Sequence, residues 1–360
     1  MKPKVVVGMS GGVDSSAAAY LLKEQGYDVT GVTMHIWRET DAHTDGEGED
    51  SCCGLRAAED ARRVAAQLDI PYYVMNFRQE FQEKVIDYFV SEYRRGRTPN
   101  PCIACNRFVK WESLLQRSLS IGADYIATGH YAKKVQLSDG RFAICQSEAA
   151  KKDQTYALYS LTQEQLRHTL FPVGAYTKEQ IRGIAQKAGL DVADKPDSQE
   201  ICFVPDHDYA AFITRETGQE ERPGNFVTED GTVLGQHKGI SHYTVGQRKG
   251  LGIAFGRPVF VTKIRPDTNE VVIGSSDDLM TAELTAEQVN YMAVQRLEPG
   301  QRMTAKIRYS HQGEACTVTG VSDSGNRVTI RFDRPVRAVT PGQAAVFYKD
   351  GCVLGGGIII

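Results

Sequence analysis

Hydrophobic and polar positions along the first third of the chain predict strands separated by helices. Residues Lys4–Gly8 form a short β-branched run, which is typical of a strand buried on both faces. From Asp14 to Gln25, small residues precede a leucine pair and Gly26 provides a stop, so this segment is predicted to be a helix. The same patterns predict strands at 27–34, 70–76 and 123–128, and helices at 55–69, 77–94 and 107–119. Because strands and helices alternate, we expect an α/β fold, an open parallel sheet with helices on both faces.

The pattern changes after about residue 205. Apolar residues alternate strictly with polar ones from Arg302 to Ser310, which places Tyr309 among the inward-facing apolar side chains, and Arg327–Phe332 repeats the alternation. Such alternation, with frequent Gly and Pro, predicts an all-β module, here a small barrel. The Gly-rich stretch before it is predicted to be a small central domain. The predicted domain bounds are therefore 1–205, 206–280 and 281–360.

Composition narrows the class of protein. The chain has 360 residues, 41% of them hydrophobic and 24% charged, which excludes collagen-like, low-complexity and disordered classes. A formal charge of −3 excludes a histone-like protein, while a local basic groove fits within that total. The N-terminal apolar run is too short for a signal peptide, and no stretch approaches the roughly 20 apolar residues of a membrane helix. We expect a cytoplasmic protein that does not bind a membrane.

Two charged segments differ from this balance. Residues 39–50 contain six acids and no Lys or Arg, which is typical of a solvated loop. Residues 93–110 contain five bases and no acid, and they enclose Cys102 and Cys105. A solvated face and a polyanion partner close to a reactive thiol are both compatible with this basic run.

A glycine-rich turn joins the first predicted strand to the first helix, with the sequence MSGGVDSS from Met9 to Ser16. Adjacent glycines let the backbone approach an anion, and a helix start offers N–H groups with partial positive charge. Serine hydroxyls add donors, while Asp14 is expected either to cap the helix or to hold Mg²⁺ against phosphates. The spacing matches neither a Walker A loop nor a dinucleotide fingerprint, so a phosphate site and a purely structural turn both stay open.

The chain contains eight cysteines, and for a cytosolic protein of this size a disulfide scaffold is a poor explanation. Cys102 and Cys105 form a C-x-x-C pair before a predicted helix that begins near Asn106, so the helix N-terminus and Arg107 should favour the thiolate of Cys105. Cys202 lies far away in sequence. Of the other five, the first two are ambiguous and the last three are expected to be buried filler: Cys52, Cys53, Cys145, Cys316 and Cys352.

The string Ser-Gly-Gly-Val-Asp-Ser within the turn resembles the pyrophosphatase loop of the PP-loop ATPases. The resemblance implies that ATP, with Mg²⁺, is split between its α- and β-phosphates and that AMP activates a carbonyl oxygen as a leaving group. It also implies nucleotide contacts along the turn, at the end of the second strand and after a later strand: Gly8, Met9, Ser10, Gly11, Gly12, Val13, Asp14, Ser15, Met34 and Gly129.

Motifs along nearly the whole chain resemble those of the bacterial tRNA-specific 2-thiouridylases. They lie around Cys105 and Cys202, at 152–154, at 242–252 and at 341–348. The resemblance implies a PP-loop catalytic domain, a small central domain and a C-terminal β-barrel that binds tRNA. It implies that ATP adenylates O2 of the wobble uridine, that a persulfide on Cys202 supplies sulfur, and that AMP leaves. The resemblance further implies that Cys105 acts as the nucleophile and can close a disulfide with Cys202 on turnover, and that the sulfur comes from a cysteine desulfurase or a sulfur-relay protein.

The same resemblance implies residues that contact the tRNA. The target-base segment of the family usually reads Asn-Pro-Asp, and this chain departs from it at Cys102. The implied set is Asn100, Pro101, Cys102, His130, Lys152, Asp153, Gln154, Arg308, Tyr309 and Gln343. The departure places three thiols in one candidate site, Cys102, Cys105 and Cys202, so a [4Fe–4S] cluster is an alternative to a persulfide relay.

Two other functions remain alternatives. One is a PP-loop amidating ligase of the GMP- or NAD-synthetase type, which would leave the cysteines without a role. The other is an RNA-binding sensor that responds to a nucleotide or a cluster without turnover.

Overall fold

The computed structural model describes residues 2–36, 55–149, 152–196, 201–252, 256 and 258–360. The acidic run at 39–50 and the pair Cys52 and Cys53 lie outside the described residues. Within the described residues, no helix combines the length and the apolar character needed to cross a bilayer.

As far as residue 128, helices and strands follow the predicted order closely, and the elements between residues 133 and 187 are additional to the prediction. The strands in the first half are β1 (Lys4–Gly8), β2 (Asp28–His35), β3 (Tyr72–Asn76), β4 (Tyr125–Thr128), β5 (Lys133–Gln136), β6 (Phe142–Cys145) and β7 (Thr169–Leu170). The helices are α1 (Val13–Glu24), α2 (Leu55–Gln67), α3 (Arg78–Phe81), α4 (Asp87–Arg94), α5 (Pro101–Ala104), α6 (Leu115–Ser120), α7 (Gln163–Arg167) and α8 (Lys178–Lys187). Wider π-type turns at Gln82–Ile86 join α3 to α4, and similar turns at Cys105–Leu114 join α5 to α6.

In the second half, the described residues form one helix and a series of strands. The helix is α9 (Tyr209–Thr217). The strands are β8 (Gly224–Val227), β9 (Val233–His237), β10 (Phe260–Arg265), β11 (Glu270–Gly274), β12 (Met280–Tyr291), β13 (Arg302–Lys306), β14 (Glu314–Val321), β15 (Arg327–Arg337), β16 (Ala344–Lys349) and β17 (Cys352–Ile359). These strands pair antiparallel except for the parallel pair β8 and β11. Short 3₁₀ turns lie at Thr155–Leu158, Ile240–His242 and Asp277–Leu279.

The predicted parallel sheet is confirmed. In the described part of the chain it has the order β3-β2-β1-β4-β7, and all four neighbouring pairs are parallel. Gly8 at the end of β1 is in register with Val32 of β2 on one side and Thr128 of β4 on the other. The carboxyl ends of the three central strands therefore meet at one edge, where open α/β sheets bind ligands.

The predicted C-terminal barrel is also confirmed. Six strands run in the order β12-β15-β14-β13-β16-β17, and β12 pairs again with β17, which closes the sheet. Met303, Ala305 and Ile307 are buried in its core, as the alternation predicts. Before the barrel, a four-stranded sheet with the order β10-β11-β8-β9 forms a smaller module with its own apolar cluster.

The inward position predicted for Tyr309 is wrong. Strand β13 ends at Lys306, and the chain then turns, with the amide of His311 bonded to the carbonyl of Arg308 at 3.1 Å. The period of two therefore stops before Tyr309, whose side chain is 49% exposed.

The chain divides into two compact units. The first contains Met1–Val85, Cys102–His207 and Asp350–Val353, and the second contains Ile86–Pro101, Asp208–Lys349 and Leu354–Ile360. The core of the first unit lies between the parallel sheet and helices α1, α2 and α8, and includes Val7, Leu22 and Ile181.

The filler role predicted for Cys145 and Cys352 is wrong, because these residues form a disulfide. They are direct antiparallel partners at the start of β17 and the end of β6, which brings their side chains together although 207 positions separate them. Cys316, by contrast, is fully buried in the barrel core, as expected.

Candidate active site at the glycine turn

The glycine turn begins where β1 ends, and its backbone conformation depends on one glycine. The amide of Met9 still bonds to the carbonyl of Val32 at 2.8 Å, and the chain then turns at Gly11 with φ +66°. A Cβ atom on Gly11 would also collide with the backbone of Ala57. Only glycine satisfies both conditions at this position, and Gly12, the N-cap residue that follows it, leaves the first amides of α1 without a capping side chain.

The serine hydroxyls brace the turn from within. The Ser10 amide donates to the Ser15 Oγ at 3.1 Å, and that hydroxyl donates to the Gly12 carbonyl at 3.1 Å. The Ser16 hydroxyl also donates to the Gly12 carbonyl, at 2.9 Å. These bonds hold the turn in shape before any ligand arrives.

Asp14 does not cap α1, contrary to one of the two predicted roles. The N-cap residue is Gly12, without a side-chain cap, and the Asp14 carboxylate is held from two distant segments instead. The Lys178 ammonium lies 2.7 and 2.8 Å from its two oxygens, and the Tyr131 hydroxyl donates to Oδ1 at 2.7 Å. Asp14 is therefore a fixed carboxylate beside the turn, and carboxylate oxygen is the ligand type that Mg²⁺ prefers.

Met34 and Gly129 lie on the strands that flank β1. Met34 is buried near the end of β2, and Gly129 follows β4 directly. A Cβ atom on Gly129 would lie 2.6 Å from the carbonyl carbon of Asp14 and 2.6 Å from the amide nitrogen of Ser15. Gly129 therefore packs backbone to backbone against the glycine turn.

The segment 152–154 is connected to Asp14 through Tyr131. The Gln154 side chain accepts from the Tyr131 amide at 2.9 Å, and the Gln154 amide donates to the Tyr131 carbonyl at 3.0 Å. Asp153 accepts from the Thr155 hydroxyl at 2.6 Å, and half-buried Lys152 bonds through its amide to the Ala149 carbonyl. Tyr131 therefore contacts both the predicted tRNA segment, through Gln154, and the carboxylate of Asp14.

His130 is neutral in this environment. Its Nδ1 lies 2.7 Å from the Thr128 hydroxyl, and its ring packs against Trp111 at a centroid distance of 5.5 Å. Burial, and then the positive charge of Lys110, lower the pKa of His130 well below its usual value of 6.5. If His130 contacts the tRNA, it does so as a hydrogen-bonding group and not as a cation.

We expect the ring of His130 to show no titration between about pH 6 and 8, because the imidazolium would have to form in a desolvated place beside an ammonium. NMR of protein labelled at the histidine Cε1 positions measures this directly, with the His130→Gln variant assigning the resonance. An ordinary midpoint for that resonance, near pH 6.5, would contradict the prediction.

The helix that carries the C-x-x-C pair starts earlier than predicted. It begins at Pro101, which suits the first helical position because proline lacks the N–H that would be unpaired there. Cys102 therefore lies in the first turn and is exposed, whereas half-buried Cys105 lies at the start of the π-type turns. The prediction that Cys105 precedes the helix N-terminus is wrong.

Cys202 is half-buried in a turn, where the Val204 amide bonds to the Ile201 carbonyl at 2.9 Å. Its neighbour Phe203 is buried against Phe81, with ring centroids 5.7 Å apart. That aromatic contact anchors the segment that presents Cys202. No group of three or more His, Cys, Asp or Glu side chains is placed to hold a metal ion in the described parts of the chain, which include Cys102, Cys105 and Cys202.

The residues before the C-x-x-C pair are held by the loop between β15 and β16. The Gln343 amide donates to the Thr98 carbonyl at 2.9 Å, and the Thr98 amide donates to the Pro341 carbonyl at 2.8 Å. Gly342 has φ +92°, and a Cβ there would lie 2.9 Å from the Thr98 nitrogen. The loop therefore fixes the chain that leads directly into half-buried Asn100 and buried Pro101.

Two of the predicted RNA contacts, Arg308 and Tyr309, follow the end of β13. Arg308 already makes a hydrogen bond to the barrel backbone. Its guanidinium donates to the Arg337 carbonyl at 3.1 Å. Tyr309 next to it presents an exposed ring, the kind of surface on which an unstacked base can lie.

Sequence reasoning missed four residues around the turn: Asp60, Tyr131, Lys178 and Lys195. Lys195 donates to the Gly11 carbonyl at 3.3 Å and to the Asp60 carboxylate at 2.7 Å. Lys178 and Lys195 are both far from the turn in sequence, so no local pattern links them to it. The one local feature that marks Lys178 is the capping box of Thr177 and Gln180, which starts α8 at that residue.

Three family models match the chain in succession. They are described as a tRNA methyl transferase HUP domain at residues 3–206, a tRNA methyl transferase PRC-barrel domain at 210–275 and an aminomethyltransferase β-barrel domain at 281–359.

Several curated proteins are similar to the chain over its whole length. The protein of Lachnoclostridium phytofermentans named tRNA-specific 2-thiouridylase MnmA is 66% identical over 99% of this chain and 99% of its own length. Proteins of the same name from Clostridium perfringens and Clostridium kluyveri are 56% and 53% identical, over 99% and 100% of this chain and 98% and 99% of theirs.

Proposed function

The chain belongs to the tRNA-specific 2-thiouridylase family and catalyses ATP-dependent 2-thiouridylation of tRNA; from this we propose that its target is the wobble uridine and that Cys202 carries the transferred sulfur. The observation that supports an ATP site most directly is the open glycine turn at the carboxyl edge of the parallel sheet, with Gly129 packed against it. We also propose the domain bounds 1–205, 206–280 and 281–360, and a cytoplasmic location.

The first step of the proposed reaction activates the base. Uracil O2 attacks the α-phosphate of ATP, pyrophosphate leaves, and the base carries AMP on O2. The nucleotide contacts are the turn from Gly8 to Ser15, together with Met34 and Gly129. The amides at the start of α1 stabilise phosphate charge, because they point to the sheet edge and their dipoles add. Mg²⁺, when it accompanies ATP, would be held by Asp14 and would neutralise phosphate charge.

The second step transfers sulfur. The terminal sulfur of a Cys202 persulfide attacks C2 of the activated uracil, and AMP departs with the original oxygen. The Cys105 thiolate then attacks the Cys202 sulfur, which breaks the persulfide bond, leaves sulfur on C2 and forms a Cys105–Cys202 disulfide. An external thiol must reduce that disulfide before the next turnover, and a sulfur-donor protein must reload Cys202. The step is favourable because AMP is a far better leaving group than a carbonyl oxygen.

A [4Fe–4S] cluster does not fit the three cysteines. Such a cluster needs its cysteine ligands around one centre, and the described side chains include no such metal-holding group. We therefore derive no step through a cluster.

The tRNA is proposed to use three groups of residues. Asn100, Pro101 and Cys102 face the target base, and Lys152, Asp153, Gln154 and His130 lie near the turn that binds ATP. Arg308 and Tyr309 belong to the barrel, while the side chain of Gln343 contributes by holding Thr98 in place. The wobble base lies in a single-stranded loop and must leave its stack to reach ATP.

The proposed function predicts a fixed ratio of products. With ATP, Mg²⁺, a persulfide donor and an unmodified tRNA transcript, we expect one AMP and one pyrophosphate for each 2-thiouridine formed. Mercury-gel retardation measures the thiolated RNA, and chromatography measures AMP. A transcript with cytidine at the wobble position is the matched control and should give neither product.

The alternatives predict different results in the same assay. AMP release with ammonia and a small-molecule acceptor, without thiolated RNA, would indicate an amidating ligase. Binding of ATP and tRNA without any AMP release would indicate a sensor.

A further inference from the structure

The glycine turn has no cationic side chain of its own. From Gly8 to Ser16 the sequence contains no lysine, arginine or histidine, and Asp14 adds a negative charge. A triphosphate brings several negative charges, whereas a helix N-terminus offers only about half a positive charge. Beside a Mg²⁺ ion held by Asp14, cationic side chains from elsewhere in the first unit are therefore candidates to complete an ATP site at this turn.

Two ammonium groups reach the turn from one short stretch of chain. Lys178 contacts both oxygens of Asp14, and Lys195 contacts the Gly11 carbonyl and the Asp60 carboxylate. Their side chains are only 11% and 31% exposed, so neither is an ordinary surface lysine. Each is held at the turn by a carboxylate.

Helix α8 places both lysines. Its N-terminal capping box fixes Lys178 as the first helical residue. One turn later, Arg182 donates to the Ala193 carbonyl at 2.8 Å and to the Lys195 carbonyl at 3.1 Å, which fixes the backbone of the second lysine. Ile181 lies on the buried face of the same helix and packs into the core that contains α1. The two ammonium groups and the turn therefore belong to one packed assembly.

The partner of Lys195 is ionised. Burial raises the pKa of the Asp60 carboxyl, but hydrogen bonds from Lys195 and Arg63 outweigh it and hold the pKa below its usual value. When no nucleotide is bound, Asp60 therefore balances the charge of Lys195, and Asp14 lies against Lys178 in the same way.

We propose that Lys178 and Lys195 are phosphate-binding residues of the ATP site, which exchange their carboxylate partners for the β- and γ-phosphates and stabilise the departing pyrophosphate. A lysine is suited to this exchange because its ammonium is a point charge on a flexible stem. When Lys178 moves to phosphate, Asp14 keeps its bond from Tyr131 and is free to hold a cation. The inference rests on the proposed ATP-dependent function.

The test compares nucleotides that differ only in their phosphates. We expect Lys178→Met and Lys195→Met each to weaken ATP binding by about tenfold to a hundredfold, as expected for loss of a charged hydrogen bond, and to change AMP binding by less than about twofold. Isothermal titration calorimetry of the full chain with ATP and with AMP measures both. Lys187→Met, at the exposed end of the same helix, is the matched control and should change neither affinity.

Two results would overturn the inference. One is unchanged ATP binding, and the other is an equal loss of ATP and AMP affinity, which a purely structural role in holding Asp14 or Asp60 would produce. If a methionine variant does not fold, the arginine variant at the same position, Lys178→Arg or Lys195→Arg, is measured in its place. Because arginine keeps the positive charge, the inference requires that variant to keep most of the preference for ATP over AMP. A wild-type protein that binds ATP but does not thiolate tRNA would contradict the proposed function and leave the lysine inference standing.

Discussion

Replacing Cys202 with serine is expected to lower tRNA thiolation by about a thousandfold or more while ATP binding stays within about twofold. A serine hydroxyl cannot carry a persulfide, so under the proposed mechanism the sulfur has no carrier. The loss should appear in the thiolation assay with purified tRNA, whereas calorimetry with ATP should be unaffected, because Cys202 lies in a turn anchored by Phe203 and is outside the glycine turn.

Cys105→Ser is expected to give a comparable loss, and Cys316→Ala is the matched control. Burial, with Asp333 adding to it, raises the pKa of the Cys316 thiol to about 12, so this thiol stays protonated and unreactive in the barrel core. The control removes one thiol without touching the chemistry. Thiolation that survives in Cys202→Ser would remove this residue from the mechanism, and the same holds separately for Cys105.

Replacing Gly129 with alanine adds one methyl group. We expect this change to lower the affinity for ATP and the rate of AMP release by about tenfold to a hundredfold. The new Cβ would lie 2.6 Å from the backbone of Asp14 and Ser15, and neither backbone can move aside as a flexible side chain could. Overpacking of this kind costs about 1–3 kcal/mol, and here we expect the clash to be relieved by displacement of the glycine turn.

Gly183→Ala is the matched control for this substitution. Gly183 lies within α8, and an added Cβ there meets nothing within 4 Å. Alanine is the better helix former, so this variant should be at least as stable as the wild type. ATP affinity by calorimetry and the melting temperature should be measured for both variants. Normal ATP affinity in Gly129→Ala would show that the turn does not depend on this close contact.

Much of the architecture was predictable from local patterns. The β-branched run at Lys4–Gly8, the glycine turn and the strict alternation from residue 302 each reflect neighbours within a few positions, and each formed as expected. Where the prediction went wrong, a local pattern ended sooner or began earlier than its residues suggested. Tyr309 lies beyond the last paired residue of β13, and Pro101 starts a helix whose predicted start is near Asn106.

The sequence by itself determined the alternation of strands and helices in the first third, the all-β character of the C-terminal part and the place of the glycine turn, because hydrophobic periodicity and glycine conformations act over short distances. Only the tertiary structure decided what surrounds that turn. Lys178 meets Asp14 across 164 positions, Tyr131 meets it across 117, and Cys145 meets Cys352 across 207. Such contacts depend on which strands become neighbours and on how helices pack over them, and no local pattern in the chain encodes the distance between two particular side chains.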